Sequence, residues 1–305
     1  MITGEIRAKL IAKTENLLGM KIVDITQPRQ GMGSAVLTVR DESGWEAVIK
    51  FGADVAGDMR VLKLIRENRV DIPIPTVLGS FVVEGKTAMV MEKVDLPLLE
   101  DIPDEEKCRY IGPMITELRK IHLIKSDIAE VLRAQDNTRS WKETLLFKYS
   151  GNHPWFDWQR VKAQEGVDGE LVQKTIERVK IRIKQADLPK RDYSLLHTDF
   201  NQRNLFVDPN KHRIAGIIDW SEAAFGDPLY DFARVRMFIF HFNISEETER
   251  EYFRSLDLTE EERMREDMYL ESQILDYITW YCEKKNDFNA GRLRSHQDFL
   301  RRRLL

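Results

Sequence analysis

The sequence predicts an α+β protein of two lobes: a small β-rich lobe over residues 1–93 and a larger, mainly helical lobe over residues 94–305. Three observations predict it. Apolar and β-branched runs separated by turn residues crowd into the first part of the chain. A proline-bearing connector, "DLPLLEDIP", follows Val94. Beyond it, apolar residues recur at helical spacing. A chain of 305 residues is long enough to give both lobes a core.

The elements follow in order. The opening "MITGEIRAKLIAKTENLLG" mixes acids and bases within a helical pattern. "SAVLTVR" and "WEAVIKF" read as strands joined by the turn "DESG". "DVAGDMRVLKLIRENR" places Val55, Met59, Leu62 and Ile65 at helical spacing, and "DIPIP" ends that helix because proline excludes its predecessor from the helical region. "TVLGSFVV" and "TAMVMEKV" are two further strands around the turn "EGK". After the connector, "DEEKCRYIGPMITELRKIHLI" carries Ile111, Ile115, Leu118 and His122 on one face, with Pro113 as a kink or a boundary. "VDGELVQKTIERVKIRIKQA" is another helix, and Thr259 with Glu262 forms a capping box ahead of "RMREDMYLESQILDYITWYC".

Composition narrows the function classes. The net charge of −4 leaves no strong nucleic-acid footprint. No apolar run is long enough to span a membrane, and the start lacks the apolar stretch of a signal peptide. Cys108 and Cys282 lie far apart and fit neither a disulfide framework nor a zinc site. The basic end "RRRLL" reads as a solvated terminus. These signs point to the cytoplasm; the expected partner is a small molecule, and a monomer and a homodimer both stay open.

The stretch "LLHTDFNQRNLFVD" places His197, Asp199 and Asn204 beside a short strand. Taken alone it reads first as a polar loop closed by its own Asp and Asn side chains. After the turn "DPNKH" comes a second strand, "RIAGII", ending in Asp219. A hairpin folded about residues 210–211 sets Asn204 opposite position 217 and brings Asp219 to the same open end. Two carboxylates and an amide oxygen on one lip suit Mg²⁺, which takes one or two carboxylates and completes its shell with water and phosphate. They also fit a phosphoryl-transfer template. In that template a loop Asp accepts the substrate proton, and an Asn five residues on and an Asp past the next strand hold metal. The template needs a cation for the ATP phosphates, and Lys50, at the end of "EAVIKF", supplies one, with a surface lysine as the plain alternative. Asp58 on the following helix is the acid to orient it. Gly31, Gly33 and Ser34 in "GMGSAV" form a turn whose backbone N–H groups can approach a phosphate.

"HTDFNQRN" followed by "GIIDW" resembles the aminoglycoside phosphotransferase family, small-molecule kinases with a protein-kinase-like fold. "AVIKF", "MVMEKV", "ITELRKIH" and "FGDPLYDFA" extend the resemblance over most of the chain. It implies a bilobal protein-kinase-like fold, with Asp199 as catalytic base and Asn204 and Asp219 as magnesium ligands. It further implies Lys50 on the α- and β-phosphates of ATP, GTP not being excluded, and the backbone around Glu92 and Val94 as the adenine-binding hinge. His197 would brace the catalytic loop, and Asp227 and Asp231 would anchor it. The family usually has Glu where this chain has Asp58. The shorter side chain leaves two readings, a looser pair with Lys50 or a different acid.

"IDWSEAAFGDPLYDFA" resembles the hygromycin phosphotransferase-like branch more than choline kinases, which usually carry Phe-Glu where this chain has Trp220-Ser221. A cationic hydroxyl acceptor would want carboxylates, and Glu222, Asp267 and Glu271 are candidates, with Asp276 nearby in sequence. A solvated helix face is the alternative, because Arg250, Arg254, Arg263 and Arg265 dilute any acidic patch. Trp280 and Tyr281 read as core. Besides a kinase of an aminoglycoside or of another small metabolite (a sugar or amino alcohol), a nucleotide-binding regulatory module with weak turnover stays open. A protein kinase is disfavoured, since no activation segment separates Asp219 from "FGDPLYDFA".

Overall fold

A computed structural model describes residues 2–28, 34–132, 139–241, 245–283 and 287–304. In chain order the elements are α1 (Gly4–Leu18), β1 (Ile22–Thr26), β2 (Ala35–Asp41), β3 (Glu46–Gly52), α2 (Val55–Glu67), β4 (Val77–Val83), β5 (Lys86–Glu92), α3 (Asp104–Lys107), α4 (Ile111–Ile121) and β6 (Lys125–Ser126). They continue as α5 (Trp141–Phe147), α6 (Trp158–Lys162), α7 (Gly169–Gln185), β7 (Tyr193–Leu196), β8 (Leu205–Asp208), β9 (Arg213–Ile217), β10 (Ala224–Gly226), α8 (Leu229–His241), α9 (Glu246–Leu256), α10 (Glu260–Glu283) and α11 (Asp287–Leu304). The chain forms two compact units. One comprises residues 1–113, 131–135 and 202–223, the other residues 114–130, 136–201 and 224–305.

The first unit is built on an antiparallel sheet of order β1-β2-β3-β5-β4. Alternation sorts β3 by face. Ala47 and Ile49 enter a core with Leu10, Leu37, Val39, Val83, Ala88 and Val90, so the residues between and after them point the other way. Lys50 therefore leaves the hydrophobic core face. β1 goes beyond the strands legible in sequence, because its short edge segment is only half-buried and alternates weakly. The β8–β9 hairpin belongs to this unit. Val207 donates its N–H to the Pro97 carbonyl at 3.0 Å and Ile217 to that of Pro73 at 2.7 Å.

The predicted hairpin forms, one residue out of the expected register. Leu205 pairs with Ile217 and Phe206 with Gly216, but Val207 pairs with Ile214. Ala215 is thus an extra residue in β9, a bulge of the kind that bends a strand locally. Asn204 consequently faces Ile218, whose N–H bonds the Asn204 carbonyl at 3.0 Å. The slip carries Asn204 closer to Asp219 than a regular hairpin would.

The second unit is helical around a small sheet of order β10-β7-β6. Ile115, Leu118 and His122 are buried as the helical pattern requires. Pro113 sits in the first turn of α4, after a 3₁₀ turn over Cys108–Tyr110, so it marks a boundary. The capping box ahead of α10 forms: Glu262 N–H donates to Thr259 Oγ at 3.2 Å, and the Glu262 carboxylate accepts from Thr259 N at 2.9 Å. Gly226 ends β10 where any side chain would collide with the indole of Trp141, whose ring carbons lie 2.7 Å from the place a Cβ would take.

Candidate active site

In the first unit the site begins at Lys50. Its ammonium lies 2.6 Å from Asp58 Oδ2 and 2.8 Å from Asp219 Oδ1, with only 11 % of the side chain exposed. Strand alternation aims Lys50 away from the core. Asp58, in the first turn of α2, projects into the same space. The shorter acid reaches Lys50 without the looseness expected of it, and Asp219 joins it as a second acid. Burial works against the lysine's charge, but the carboxylates of Asp58 and Asp219 outweigh it and hold its pKa above the ordinary lysine value. Burial pushes the Asp58 carboxyl up to about 6, against the pull of Lys50 and a hydrogen bond from the Trp220 backbone.

Asp219 stands at the end of β9 with φ of 64°, a left-handed conformation that aspartate tolerates better than most residues. Its side chain is 42 % exposed, and Ser221 Oγ donates to its Oδ1 at 3.1 Å. Asn204 lies across the hairpin, next in register to Asp219. An aspartate carboxylate and an asparagine amide both offer hard-oxygen donors, the chemistry that suits Mg²⁺ accompanied by water and phosphate. Among the described residues, no three His, Cys, Asp or Glu side chains gather into a larger ligand cluster.

The remaining nucleotide candidates sit in the same unit. Ser34 is half-buried just ahead of β2, while Gly31 and Gly33 lie outside the described residues. Glu92 closes β5, its N–H bonded to the Thr76 carbonyl at 2.9 Å, and Val94 lies under the hairpin beside Gly216 and Phe206. Glu222 is exposed, three residues beyond Asp219.

In the second unit, Asp199 follows Thr198, a β-branched residue at φ 63°, where such residues are genuine outliers. Strain of this kind costs about 1–3 kcal/mol and needs surroundings that hold it. The fully buried Asp231 carboxylate provides them: it accepts the N–H groups of both His197 and Thr198 at 2.9 Å and lies 3.2 Å from His122 Nε2. His197 is fully buried, with Nδ1 accepting the Asp199 N–H at 3.3 Å, so its position is that of a brace. Asn201 donates to Asp199 Oδ1 at 2.8 Å. Asp227 accepts from Leu229 N–H and Tyr269 OH and pairs with Arg265, which ties the start of α8 to α10.

The acidic acceptor candidates on α10 are committed elsewhere. Glu271, with 2 % of its side chain exposed, pairs with Arg178 at 3.0 Å and Arg182 at 3.1 Å. Asp267 pairs with Arg236 at 2.5 Å and also with Arg303. The arginines that complete these pairs come from α7, α8 and α11, so the two acids tie helices together. Asp276 is paired in the same way with buried Lys148. Tyr281 is buried, as read from the sequence.

The contacts of Asn201 with Asp199, of Ser221 with Asp219 and of Arg234 with the Thr198 carbonyl were not legible in the sequence. The signal for Arg234 was indirect: it stands one helical turn after Asp231, and residues three apart share a helix face.

The profile of the phosphotransferase enzyme family matches residues 24–266. A hygromycin-B 4-O-kinase of Escherichia coli is 26 % identical over 173 residues, covering 54 % of this chain and 47 % of that protein. The aligned stretch thus spans about half the length of that relative. A thermostable mutant of aminoglycoside phosphotransferase APH(4)-Ia, solved as a ternary complex with ADP and hygromycin B, superposes with a TM-score of 0.74 at 20 % identity, covering 96 % of this chain and 98 % of that one. A macrolide 2'-phosphotransferase type I gives 0.63 at 16 % identity, with 98 % of each chain covered. These two likenesses establish the fold. No helix among the described residues is long and apolar enough to cross a membrane.

Proposed function

The chain belongs to the phosphotransferase enzyme family, and on that premise we propose that it transfers the γ-phosphoryl group of ATP to a hydroxyl of a small molecule, with Mg²⁺ as the metal. The observation that carries this reading is the placement of Lys50 between Asp58 and Asp219 at 2.6 and 2.8 Å. A buried lysine so oriented is suited to phosphate oxygens, and Asp58 keeps it from collapsing onto Asp219 alone. Asn204 and Asp219 would hold the metal. At that place the metal would supply charge neutralisation for the phosphoryl group being transferred. Asp199, five residues before Asn204 in the chain, would accept the proton of the acceptor hydroxyl. Ser34 and the backbone near Glu92 and Val94 would complete the nucleotide side, so we keep residues 1–93 as the nucleotide-binding part and residues 94–305 as the catalytic and acceptor part. Positioning and charge neutralisation would then supply most of the acceleration.

The acceptor to test first is an aminoglycoside of the hygromycin type, because the hygromycin-B 4-O-kinase is a relative and a neighbouring fold binds hygromycin B. A second reading, a kinase of a less cationic hydroxyl compound such as a sugar or amino alcohol, is favoured by one observation. Asp267 and Glu271, candidates for meeting a polycation, are already paired with arginines. ADP release with an acceptor panel separates the two. Asp199→Asn should lower turnover by about 10²–10⁴-fold, the span for loss of a general base. Full activity in that variant would remove Asp199 from the chemistry.

A further inference from the structure

The catalytic-base loop is held from two sides by one turn of α8, and only one side was expected. Asp231 holds the N–H of Thr198 at 2.9 Å. Three residues on, Arg234 Nη2 donates to the Thr198 carbonyl at 2.9 Å. That carbonyl belongs to the peptide bond that joins Thr198 to Asp199. The peptide is planar, so fixing its oxygen fixes the plane from which the Asp199 side chain departs. A β-branched residue at φ 63° does not stay there unaided. An acceptor for its N–H and a donor to its C=O, both from one helix face, are what would keep it there.

Arg234 is an unusual residue to find in this place. It is 7 % exposed, and its buried Nε and Nη1 have no hydrogen-bond partner among the described residues. Burying a guanidinium with two donor nitrogens unsatisfied costs stability, so packing alone gives no reason for an arginine here. Burial works against its charge, and Tyr277, Asp199, Tyr230 and Asp276, in that order, compensate it, with the Tyr277 ring 5.2 Å from its Cζ. The proposed base is one of the groups around this charge, and the guanidinium donates to the peptide that carries it. Arginine suits this because it stays charged when buried and presents its donors in a rigid plane.

We propose that Arg234 is a positioning residue for Asp199: through the Thr198 carbonyl it locks the left-handed peptide that orients the base. The proposal rests on the phosphotransferase reading for its catalytic consequence, and on the loop geometry alone for its structural one. The test compares Arg234→Met and Arg234→Lys with the parent full-length chain. Two quantities are read: steady-state kcat and KM with Mg·ATP and the best acceptor, and hydrogen exchange of the peptide spanning residues 196–201.

In Arg234→Met, kcat should fall about 10–100-fold, the range for losing one hydrogen bond made by a charged group, with both KM values within roughly two-fold. Exchange in the loop should quicken while α10 stays protected. Arg234→Lys keeps the charge and a donor and should recover part of kcat, which also serves if the Met variant does not fold. Unchanged kcat in Arg234→Met overturns the proposal. So does a loss accompanied by equally faster exchange throughout α8 and α10, which marks a purely structural residue. If the parent chain transfers phosphate to no acceptor, the enzymatic reading fails. The exchange data then decide the clamp: a local effect upholds it, and an unaltered loop ends it.

Discussion

Replacing Asp58 by Asn tests the core of the nucleotide site. The Lys50 ammonium interacts with Asp58 at 2.6 Å and with Asp219 at 2.8 Å. At an effective dielectric constant near 20, each contact is worth about 6 kcal/mol of gross attraction, most of it offset by the desolvation of a lysine and an aspartate this deeply buried. Removing one partner of a buried pair ordinarily costs about 3–5 kcal/mol because a charge is left uncompensated. Here Asp219 remains, so we expect a loss of about 1–3 kcal/mol in urea unfolding. Lys50 then leans on Asp219 alone and competes with the metal for that carboxylate. Affinity for Mg·ATP, read by titration with a fluorescent nucleotide, should weaken by about ten-fold, or about 1.4 kcal/mol. Asp58→Glu is the control. It restores the acid usual in the family, but one methylene inserted at a site with 2 % of the side chain exposed should cost about 1–3 kcal/mol through overpacking, with nucleotide affinity largely kept. If Asp58→Asn leaves both unfolding and nucleotide affinity unaltered, the pair does not organise the site and the reasoning from Lys50 outward is refuted.

Two further outcomes follow from buried charge. Glu271→Gln leaves Arg178 and Arg182 without their shared carboxylate and should destabilise the chain by about 3–5 kcal/mol. The acceptor KM should stay unchanged; a raised KM in a stably folded variant would return Glu271 to the acceptor site. Burial lowers the pKa of His296 to about 4 from its ordinary 6.5. Its folded-state pKa lies below the unfolded one, so the unfolded chain binds the extra proton first as pH falls. The contribution is therefore complete above pH 6.5 and is lost progressively towards pH 4, with about 2 kcal/mol gone by pH 5. The difference in unfolding free energy between the parent and His296→Gln, measured from pH 7 to pH 5, should narrow by that amount. A difference independent of pH would show that His296 does not titrate as a buried neutral ring.

Much of the site was legible because local rules carry it. Alternation aims Lys50 off the core face of β3, helix spacing brings Asp58 round after one loop, and a short hairpin must set Asn204 near Asp219. Those constraints act over a few residues and survive a register error, as the bulge at Ala215 shows. The pairing of Asp267 and Glu271 with arginines was not legible, for the complementary reason. An acid on a helix looks the same in sequence whether it faces solvent, a ligand or an arginine from another helix.

By itself the sequence determined the α+β class, the order of most strands and helices, and the pairing of hairpin with metal-type ligands, since each depends on periodicity, turn chemistry or a few bonds of chain. Only the tertiary structure decided that Asp58 reaches Lys50, that the α10 acids are taken up by arginines of α7, α8 and α11, and that Arg234 and Asp231 grip the peptides leading to Asp199. These depend on which side chains meet across elements distant in sequence. Packing sets such meetings, and no local pattern encodes them.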